Sequence, residues 1–167
     1  MSPEPGMRWT QSAFESLTPH ALYALLQLRA QVFVVEQDCA FQDLDGTDPL
    51  AMHLQGYVGN VLVAYARCFA PGVKFAEASI GRIVTRDSLR GTGIGHLLVG
   101  RAMASVSELW GCQAIRIGAQ AWLARFYEGH GFHDAGMPYI EDGIDHLEML
   151  WHPPVPTPET PNSPEQT

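Results

Sequence analysis

The sequence is poor in lysine and in long apolar runs, and each shortage excludes a class of protein. Lys74 is the only lysine among ten basic residues, and eighteen acidic residues leave a net charge of -8. Such a chain lacks the basic face of a nucleic-acid-binding protein, so we expect any charged partner to be cationic. No run of about 18 apolar residues is present, so the sequence predicts no membrane span and no membrane partner.

Cysteine is also scarce. Cys39, Cys68 and Cys112 are odd in number and lie far apart along the chain. Their spacing fits neither a disulfide framework nor a metal site, so we expect reduced thiols, no bound metal and a cytoplasmic location. The N-terminal segment has no basic stretch followed by an apolar one, so the sequence does not indicate a secretory signal.

Hydrophobic periodicity predicts one α/β domain over residues 7–151, between flexible ends at residues 1–6 and in the proline-rich residues 152–167. Thr18 followed by Pro19 is typical of a helix start, and Gly59-Asn60 is typical of a two-residue hairpin. The predicted order β-α-β-β-β-α-β-α-β-β describes a mixed sheet with helices on both faces. The predicted strands cover residues 7–14, 52–58, 61–70, 78–85, 113–119, 132 onward and 145–151, and the predicted helices cover residues 19–34, 93–110 and 122–130.

A glycine-rich turn before the second predicted helix indicates a phosphate site. Arg90 precedes Gly91-Thr92-Gly93-Ile94-Gly95-His96, and free amides at a helix start bind anions. A nucleotide-hydrolysing loop needs a lysine and a hydroxyl residue after its last glycine, where this chain has His96 and Leu97. A dinucleotide fingerprint needs a glycine at the position of His96. Neither nucleotide pattern fits.

The remaining pattern, R-x-x-G-x-G at Arg90, Gly93 and Gly95, resembles the pyrophosphate-binding motif of the GCN5-related N-acetyltransferase (GNAT) family. The resemblance implies a central, mostly antiparallel sheet and acetyl-coenzyme A (acetyl-CoA) as co-substrate. It also implies that residues 90–96 bind the diphosphate, and that the backbone of Ile83 and Val84 pairs with the pantetheine arm. Glycines that only shape a strand-to-helix turn are the structural alternative.

A second motif lies downstream of the first. Tyr127-Glu128-Gly129-His130-Gly131-Phe132 resembles the family's Tyr-Glu-x-x-Gly-Phe, and Gln120 stands where the family carries an asparagine. The resemblance implies that Gln120 contacts the co-substrate and that Tyr127 lies beside it. A phenol near the sulfur could act as the general acid when the thiolate leaves. The alternative is that Tyr127 is a core aromatic residue.

Three further segments, residues 22–37, 43–48 and 139–149, resemble the ElaA-like branch of this family. The likeness extends from about Trp9 to Trp151 and implies a cytosolic bacterial acetyltransferase, but it implies little about the acceptor. Our interpretation is an N-acetyltransferase that acts on an amine. Homodimers are common in the family, so a dimeric state is open. A non-catalytic acyl-CoA-binding or sensor protein is the alternative function, and an interaction module is a third.

The general base has several candidates. Glu77, thirteen residues before Arg90, stands at the offset where histone-acetylating relatives carry a glutamate base. Glu36, Glu141, His146 and a water molecule are the alternatives. The acidic loop with Asp43, Asp45 and Asp48 lacks the spacing of a calcium loop. We expect it to be a solvated turn, and the weaker hypothesis is that its charges, beside Glu141 and Asp142, line an acceptor pocket and attract a cationic amine.

Overall fold

The computed structural model describes residues 6–156, which form one seven-stranded sheet with helices on both faces. The strand order is β1-β2-β3-β4-β5-β7-β6, and every neighbouring pair is antiparallel except β4 and β5. This confirms the predicted fold class. The strands are β1 (Met7–Ala13), β2 (Met52–Val58), β3 (Val61–Phe69), β4 (Ala78–Thr85), β5 (Ile115–Gln120), β6 (His133–Glu141) and β7 (Ile144–Trp151), and the helices are α1 (Pro19–Arg29), α2 (Ile94–Trp110) and α3 (Ala124–Glu128).

The sheet spans the predicted domain, residues 7–151. Of the predicted flexible ends, residues 1–5 and 157–167 lie outside the described residues. Within the described part of the chain, no helix is long and apolar enough to cross a membrane.

The first helix begins as predicted and ends differently. The Thr18 side chain accepts a hydrogen bond from the Ala21 amide at 3.1 Å, and Pro19 occupies the first turn. After Arg29 the chain continues as a π-helix, Ala30–Glu36, where an α-helix was predicted to about Val34. Wide turns of this kind occur often at functional sites, and this one supplies part of a cavity wall described below.

Two separate cores lie on opposite faces of the sheet. On one face α1 packs against β3 and β4, and Leu25, Tyr65 and Val84 are buried there. On the other face α2 and α3 cover the sheet through side chains such as Leu98 and Tyr127. Full burial of one such apolar side chain stabilises the fold by about 1.5–3 kcal/mol. The amphipathic helices are therefore held on their two faces by hydrophobic burial.

The acidic loop is not the solvated turn that we expected. Asp43 and Asp48 are buried, and both contact the fully buried Arg29, at 3.0 and 2.7 Å. Arg67 contacts Asp48 at 2.9 Å and Asp45 at 2.5 Å. The expectation was wrong because arginines from α1 and β3 meet the loop inside the fold, a pairing that no local pattern reveals. Their charges already neutralise these carboxylates, which does not support the hypothesis that they attract a cationic acceptor.

The two parallel strands separate soon after they meet. Strands β4 and β5 pair only at Ala78 with Ile115 and at Ser79 with Arg116. Further along β4, the register with β3 shifts between Tyr65 and Arg67, and Arg82 adopts a left-handed conformation with φ of 48°. Such a bulge bends a strand and increases its local twist. The bulge in β4 thus lies in the segment that runs without pairing to β5.

Candidate active site

A cavity of about 480 Å³ occupies the gap between β4 and β5. Its wall is formed by residues of the π-helix, the loop that follows it, strands β4 and β5, the starts of α2 and α3, and the β6–β7 hairpin. The residues that line it are Val32, Phe33, Glu36, Gln37, Cys39, Phe41, Ile80, Gly81, Arg82, Ile83, Val84, Thr85, Arg90, Gly95, Gly118, Gln120, Trp122, Leu123, Phe126, Tyr127, Glu141, Asp142, Ile144 and His146.

Asp43 of the acidic loop stabilises the bulge in β4 through hydrogen bonds with Arg82. Arg82 Nε donates to Asp43 Oδ1 at 2.7 Å, and Arg82 Nη2 donates to the Asp43 carbonyl at 3.0 Å. A non-glycine residue in the left-handed region costs about 1–3 kcal/mol, and these charge-assisted bonds offset that cost. The buried arginine network therefore stabilises the shape of the cavity.

Two residues of the predicted phosphate motif, Arg90 and Gly95, line the cavity. Gly91 and Gly93 have φ values of 78° and 90°, which L side chains rarely adopt, and a Cβ on either would meet open space. Gly93 caps α2 without any side-chain hydrogen bond to the helix start. The amides of the first turn have no intrahelical acceptors. They are therefore available to an anion that approaches Ile94, Gly95 and His96.

Arg90 already contacts an anion of the protein. Its Nη2 donates to Glu36 Oε2 at 2.8 Å and to the Thr85 carbonyl at 3.3 Å. The Arg90 side chain remains 45% exposed, so the guanidinium has room for a second partner. Thr92, also predicted to bind the co-substrate, donates its hydroxyl to the Leu89 carbonyl at 2.6 Å, which stabilises the turn.

Beside the glycine loop, two histidines contact each other. His96 Nδ1 lies 3.0 Å from His130 Nε2, and the His96 ring packs on Phe126 with centroids 4.7 Å apart. Burial and the neighbouring His96 lower the pKa of His130. His130 was present in the second motif without a predicted role, and the structure brings it to the predicted diphosphate end of the cavity.

Tyr127 places a free hydroxyl in the cavity wall. Its side chain is 6% exposed and packs edge-to-face with Phe126 and Phe132. Within residues 6–156, no hydrogen-bond partner is found for its Oη. Burial raises the pKa of Tyr127 to about 12. The phenol is therefore protonated at neutral pH and can donate a hydrogen bond to a group in the cavity.

The predicted co-substrate residues on the strands also line the cavity. Ile83 and Val84 lie on the part of β4 that does not pair with β5, and the Val84 side chain is buried against α1. Gln120, at the end of β5, accepts from Trp122 Nε1 at 2.7 Å and donates to Gln37 Oε1 at 3.3 Å. Sequence reasoning missed Gln37 and Trp122. The only signal in the sequence was the position of Trp122 between Gln120 and Tyr127, and the structure shows its side chain to be exposed.

Glu77, the predicted base, is not in the cavity. It lies directly before β4, at the end where β4 and β5 are still paired. Arg116 holds its carboxylate through two hydrogen bonds of 2.9 and 3.0 Å. These bonds lower the pKa of Glu77 to about 2, which weakens it as a base. Its position does not support the predicted role, whereas Glu36, Glu141 and His146 all line the cavity.

We expect Glu77→Gln to leave acyl transfer within about threefold of the wild-type rate, because general-base catalysis contributes far more than this. The measurement is the steady-state rate of thiol release from acetyl-CoA. Arg116→Lys, which disturbs the same ion pair from the other side, is the control. A loss of two orders of magnitude in the Glu77 variant alone would restore it as the base.

Comparisons with known proteins identify the family to which this fold belongs. The profile of the family described as "Acetyltransferase (GNAT) domain" matches residues 47–152. Protein ElaA of Escherichia coli is 38% identical over 145 residues, which cover 86% of this chain and 95% of that protein. A UPF0039 protein of Synechocystis is 36% identical over 89% of this chain and 97% of its own length.

Solved structures give the same result. An acyl-CoA N-acyltransferase from Pseudomonas aeruginosa superposes with a TM-score of 0.83 and 38% identity, over 87% of this chain and 99% of that chain. The crystal structure of Escherichia coli ElaA superposes with a TM-score of 0.81 and 36% identity over the same shares. The chain belongs to the GNAT acetyltransferase family, in its ElaA-like branch.

Proposed function

We propose that the chain is an N-acetyltransferase that moves the acetyl group of acetyl-CoA directly to an amine. The observation that carries this proposal is the unpaired gap between β4 and β5. Its wall combines Arg90 and Gly95 of the glycine loop with Tyr127, for whose hydroxyl no hydrogen-bond partner is found among residues 6–156. A cytoplasmic location and a homodimer belong to the same proposal.

Several residues fit the donor. The amides of residues 91–96 and the Arg90 guanidinium would hold the diphosphate, while the backbone of Ile83 and Val84 would pair with the pantetheine arm. A helix start contributes about 0.3–1 kcal/mol to anion binding, and ~2 kcal/mol when it is partly buried. Micromolar affinity requires about 8 kcal/mol. The backbone of β4 that does not pair with β5, together with the cavity wall, must therefore contribute most of the binding free energy.

Acetyl-CoA supplies a thioester, which activates the acetyl group toward a nitrogen nucleophile. Tyr127 Oη is the group positioned to donate a proton to the departing sulfur, because it lines the cavity, is protonated and has no hydrogen-bond partner among residues 6–156. None of the three cysteines is required as a nucleophile. Gln120, hydrogen-bonded to Gln37 and Trp122, lines the cavity at the end of β5.

The test is an assay of the full chain with acetyl-CoA and a panel of amines, polyamines and peptides. Thiol release is followed optically, and acetylated products are identified by mass spectrometry. We expect amine-dependent thiol release and acetylated amine in equal amounts. Acetyl-CoA binding without transfer to any amine would indicate an acyl-CoA sensor, and no binding would indicate that the glycines only shape the turn.

Gly95→Ala separates binding at the glycine loop from folding. A Cβ at Gly95 would meet Phe126 at 3.5 Å, an ordinary contact, so the fold accepts the methyl group. The same methyl group would enter the cavity at the start of α2. We expect the Kd for acetyl-CoA, measured by calorimetry, to rise about tenfold, which is about 1.4 kcal/mol.

Gly100→Ala is the matched control, because Gly100 is exposed in the same helix and a Cβ there meets nothing within 4 Å. It should leave the Kd unchanged and stabilise the helix by about 0.5–1 kcal/mol. Equal effects of the two substitutions on the Kd would mean that the donor does not approach the start of α2.

A further inference from the structure

The cavity passes through the sheet, so that its two ends lie on opposite faces. Ile117 and Ala119 of β5 are buried in the core beneath α2 and α3. Gly118 and Gln120 alternate with them and face the α1 side, where Gln120 meets Gln37. Tyr127 belongs to the α2 side. A molecule that enters from the α1 side would therefore meet the reacting end of the donor across the gap.

His146 lies on the α1 side next to this gap. It pairs in register with Gln120 of β5 and with Tyr139 of β6, so the three side chains share one face. The His146 ring stacks on the Tyr139 ring with centroids 5.3 Å apart. The Tyr139 hydroxyl occupies the space that a Cβ on Gly118 would need. Glycine at position 118 thus lets Tyr139 support His146 at the edge of the cavity.

A backbone hydrogen bond fixes which nitrogen of His146 carries the proton. His146 Nδ1 lies 2.8 Å from the Ile144 carbonyl, which can only accept. Nδ1 must therefore be the donor, and in the neutral ring the lone pair is on Nε2. The His146 side chain is 10% exposed, and its Nε2 lies 3.7 Å from Glu141 Oε2. The ring is thus oriented to accept a proton at Nε2.

The charge at this end of the cavity is negative. The two arginines in the wall are already paired, Arg82 with Asp43 and Arg90 with Glu36. Glu141 and Asp142, at the tip of the β6–β7 hairpin, have no ion pair with an arginine or lysine among residues 6–156. Apolar side chains of Phe33, Phe41, Trp122 and Ile144 line the rest of the wall. This combination fits an ammonium group on an apolar stem.

We propose that His146 is the general base of this site and that the acceptor is a primary alkyl ammonium ion, which Glu141 and Asp142 attract. The proposal rests on the proposed function above. Glu36 is a weaker candidate for the general base, because its carboxylate accepts a hydrogen bond from Arg90. Glu141 is also a weaker candidate, because its side chain is 56% exposed.

Each proton transfer in the reaction involves a named group. The ammonium gives one proton to His146 Nε2, and the nitrogen lone pair then forms the C–N bond to the acetyl carbon while the C–S bond breaks. The sulfur takes the proton of Tyr127 Oη, and the second proton from the nitrogen restores the phenol. The products are the N-alkylacetamide and the free thiol, and one proton passes from His146 to water.

The test compares two nitrogen nucleophiles in the full-length chain. n-Pentylamine is protonated at neutral pH and needs the base, whereas methoxyamine is unprotonated there. We expect His146→Asn to lower thiol release with n-pentylamine about 100-fold and with methoxyamine less than about tenfold. The Kd for acetyl-CoA should stay within about twofold, because His146 lies on the acceptor side.

His133→Asn is the matched control, since His133 is exposed on β6 outside the cavity wall, and both rates should remain at the wild-type level. Nitrogen-15 NMR of the imidazoles provides a readout without turnover. The signal that disappears in His146→Asn should show a protonated Nδ1 and an unprotonated Nε2 in the neutral ring.

Equal losses with both nucleophiles in His146→Asn, the opposite tautomer, or no transfer to n-pentylamine by a wild-type chain that binds acetyl-CoA would each overturn the inference. The proposed function would survive all three results if another nitrogen acceptor reacted. Failure of the wild-type chain to bind acetyl-CoA would overturn the proposed function itself.

Discussion

Replacing Tyr127 by Phe is expected to slow acetyl transfer by about 100-fold or more while leaving the affinity for acetyl-CoA unchanged. The ring would keep its contacts with Phe126 and Phe132. Because no hydrogen-bond partner of Oη is found among residues 6–156, the substitution leaves no buried group unsatisfied. The measurements are kcat from thiol release and Kd from calorimetry.

Tyr23→Phe is the control, because Tyr23 lies on α1 and is 72% exposed. It should leave kcat, Kd and the unfolding midpoint unchanged. An unchanged kcat in Tyr127→Phe would remove this hydroxyl from the chemistry. A large fall in affinity would instead assign it to donor binding.

Replacing Asp48 by Asn should cost about 3–5 kcal/mol of unfolding free energy, because it removes one partner from a buried ion network. Asp48 Oδ1 accepts from Arg29 at 2.7 Å and from Arg67 at 2.9 Å. Both guanidinium groups are at most 3% exposed, so neither can turn to water. Urea unfolding at neutral pH measures the loss. Asp145→Asn, at an exposed carboxylate, should stay within about 0.5 kcal/mol of wild type.

The unfolding free energy lost in Asp48→Asn should become smaller as the pH falls. Burial alone would raise the pKa of Asp48, but the hydrogen bonds and charges of Arg29 and Arg67 outweigh burial and lower it. The ionised carboxylate therefore stabilises the fold fully above the unfolded pKa of about 3.9, and this contribution declines as the pH falls further. The difference between wild type and Asp48→Asn should be constant from pH 7 to 5 and smaller at pH 3. A difference that grows toward pH 3 would contradict this.

The parts of the fold that local patterns determine were predictable from the sequence. Strand β4 and the start of α1 at Thr18 and Pro19 lie where turn residues and periodicity place them. The glycine loop and Tyr127 could also be assigned to one site, because two motifs with independent spacing point to the same fold family. Local residue types were sufficient in each of these cases.

Features that depend on distant contacts were not predictable. The π-helix after Arg29 has no periodicity that distinguishes it from an α-helix. The acidic loop reads as a solvated turn because Arg29, Arg67 and Arg82 come from three other segments. Similarly, the spacing of Glu77 from Arg90 favoured Glu77 as the general base. In the structure Glu77 pairs with Arg116 at the end where β4 and β5 are still paired, outside the cavity.

The most direct measurement is a crystal structure of the full chain with a non-hydrolysable acetyl-CoA analogue. We expect the diphosphate to lie against the amides of residues 91–96, the pantetheine arm along Ile83 and Val84, and the acetyl end in the gap between Tyr127 Oη and His146 Nε2. An analogue bound outside the gap between β4 and β5, or with its acetyl end turned away from Tyr127, would contradict it.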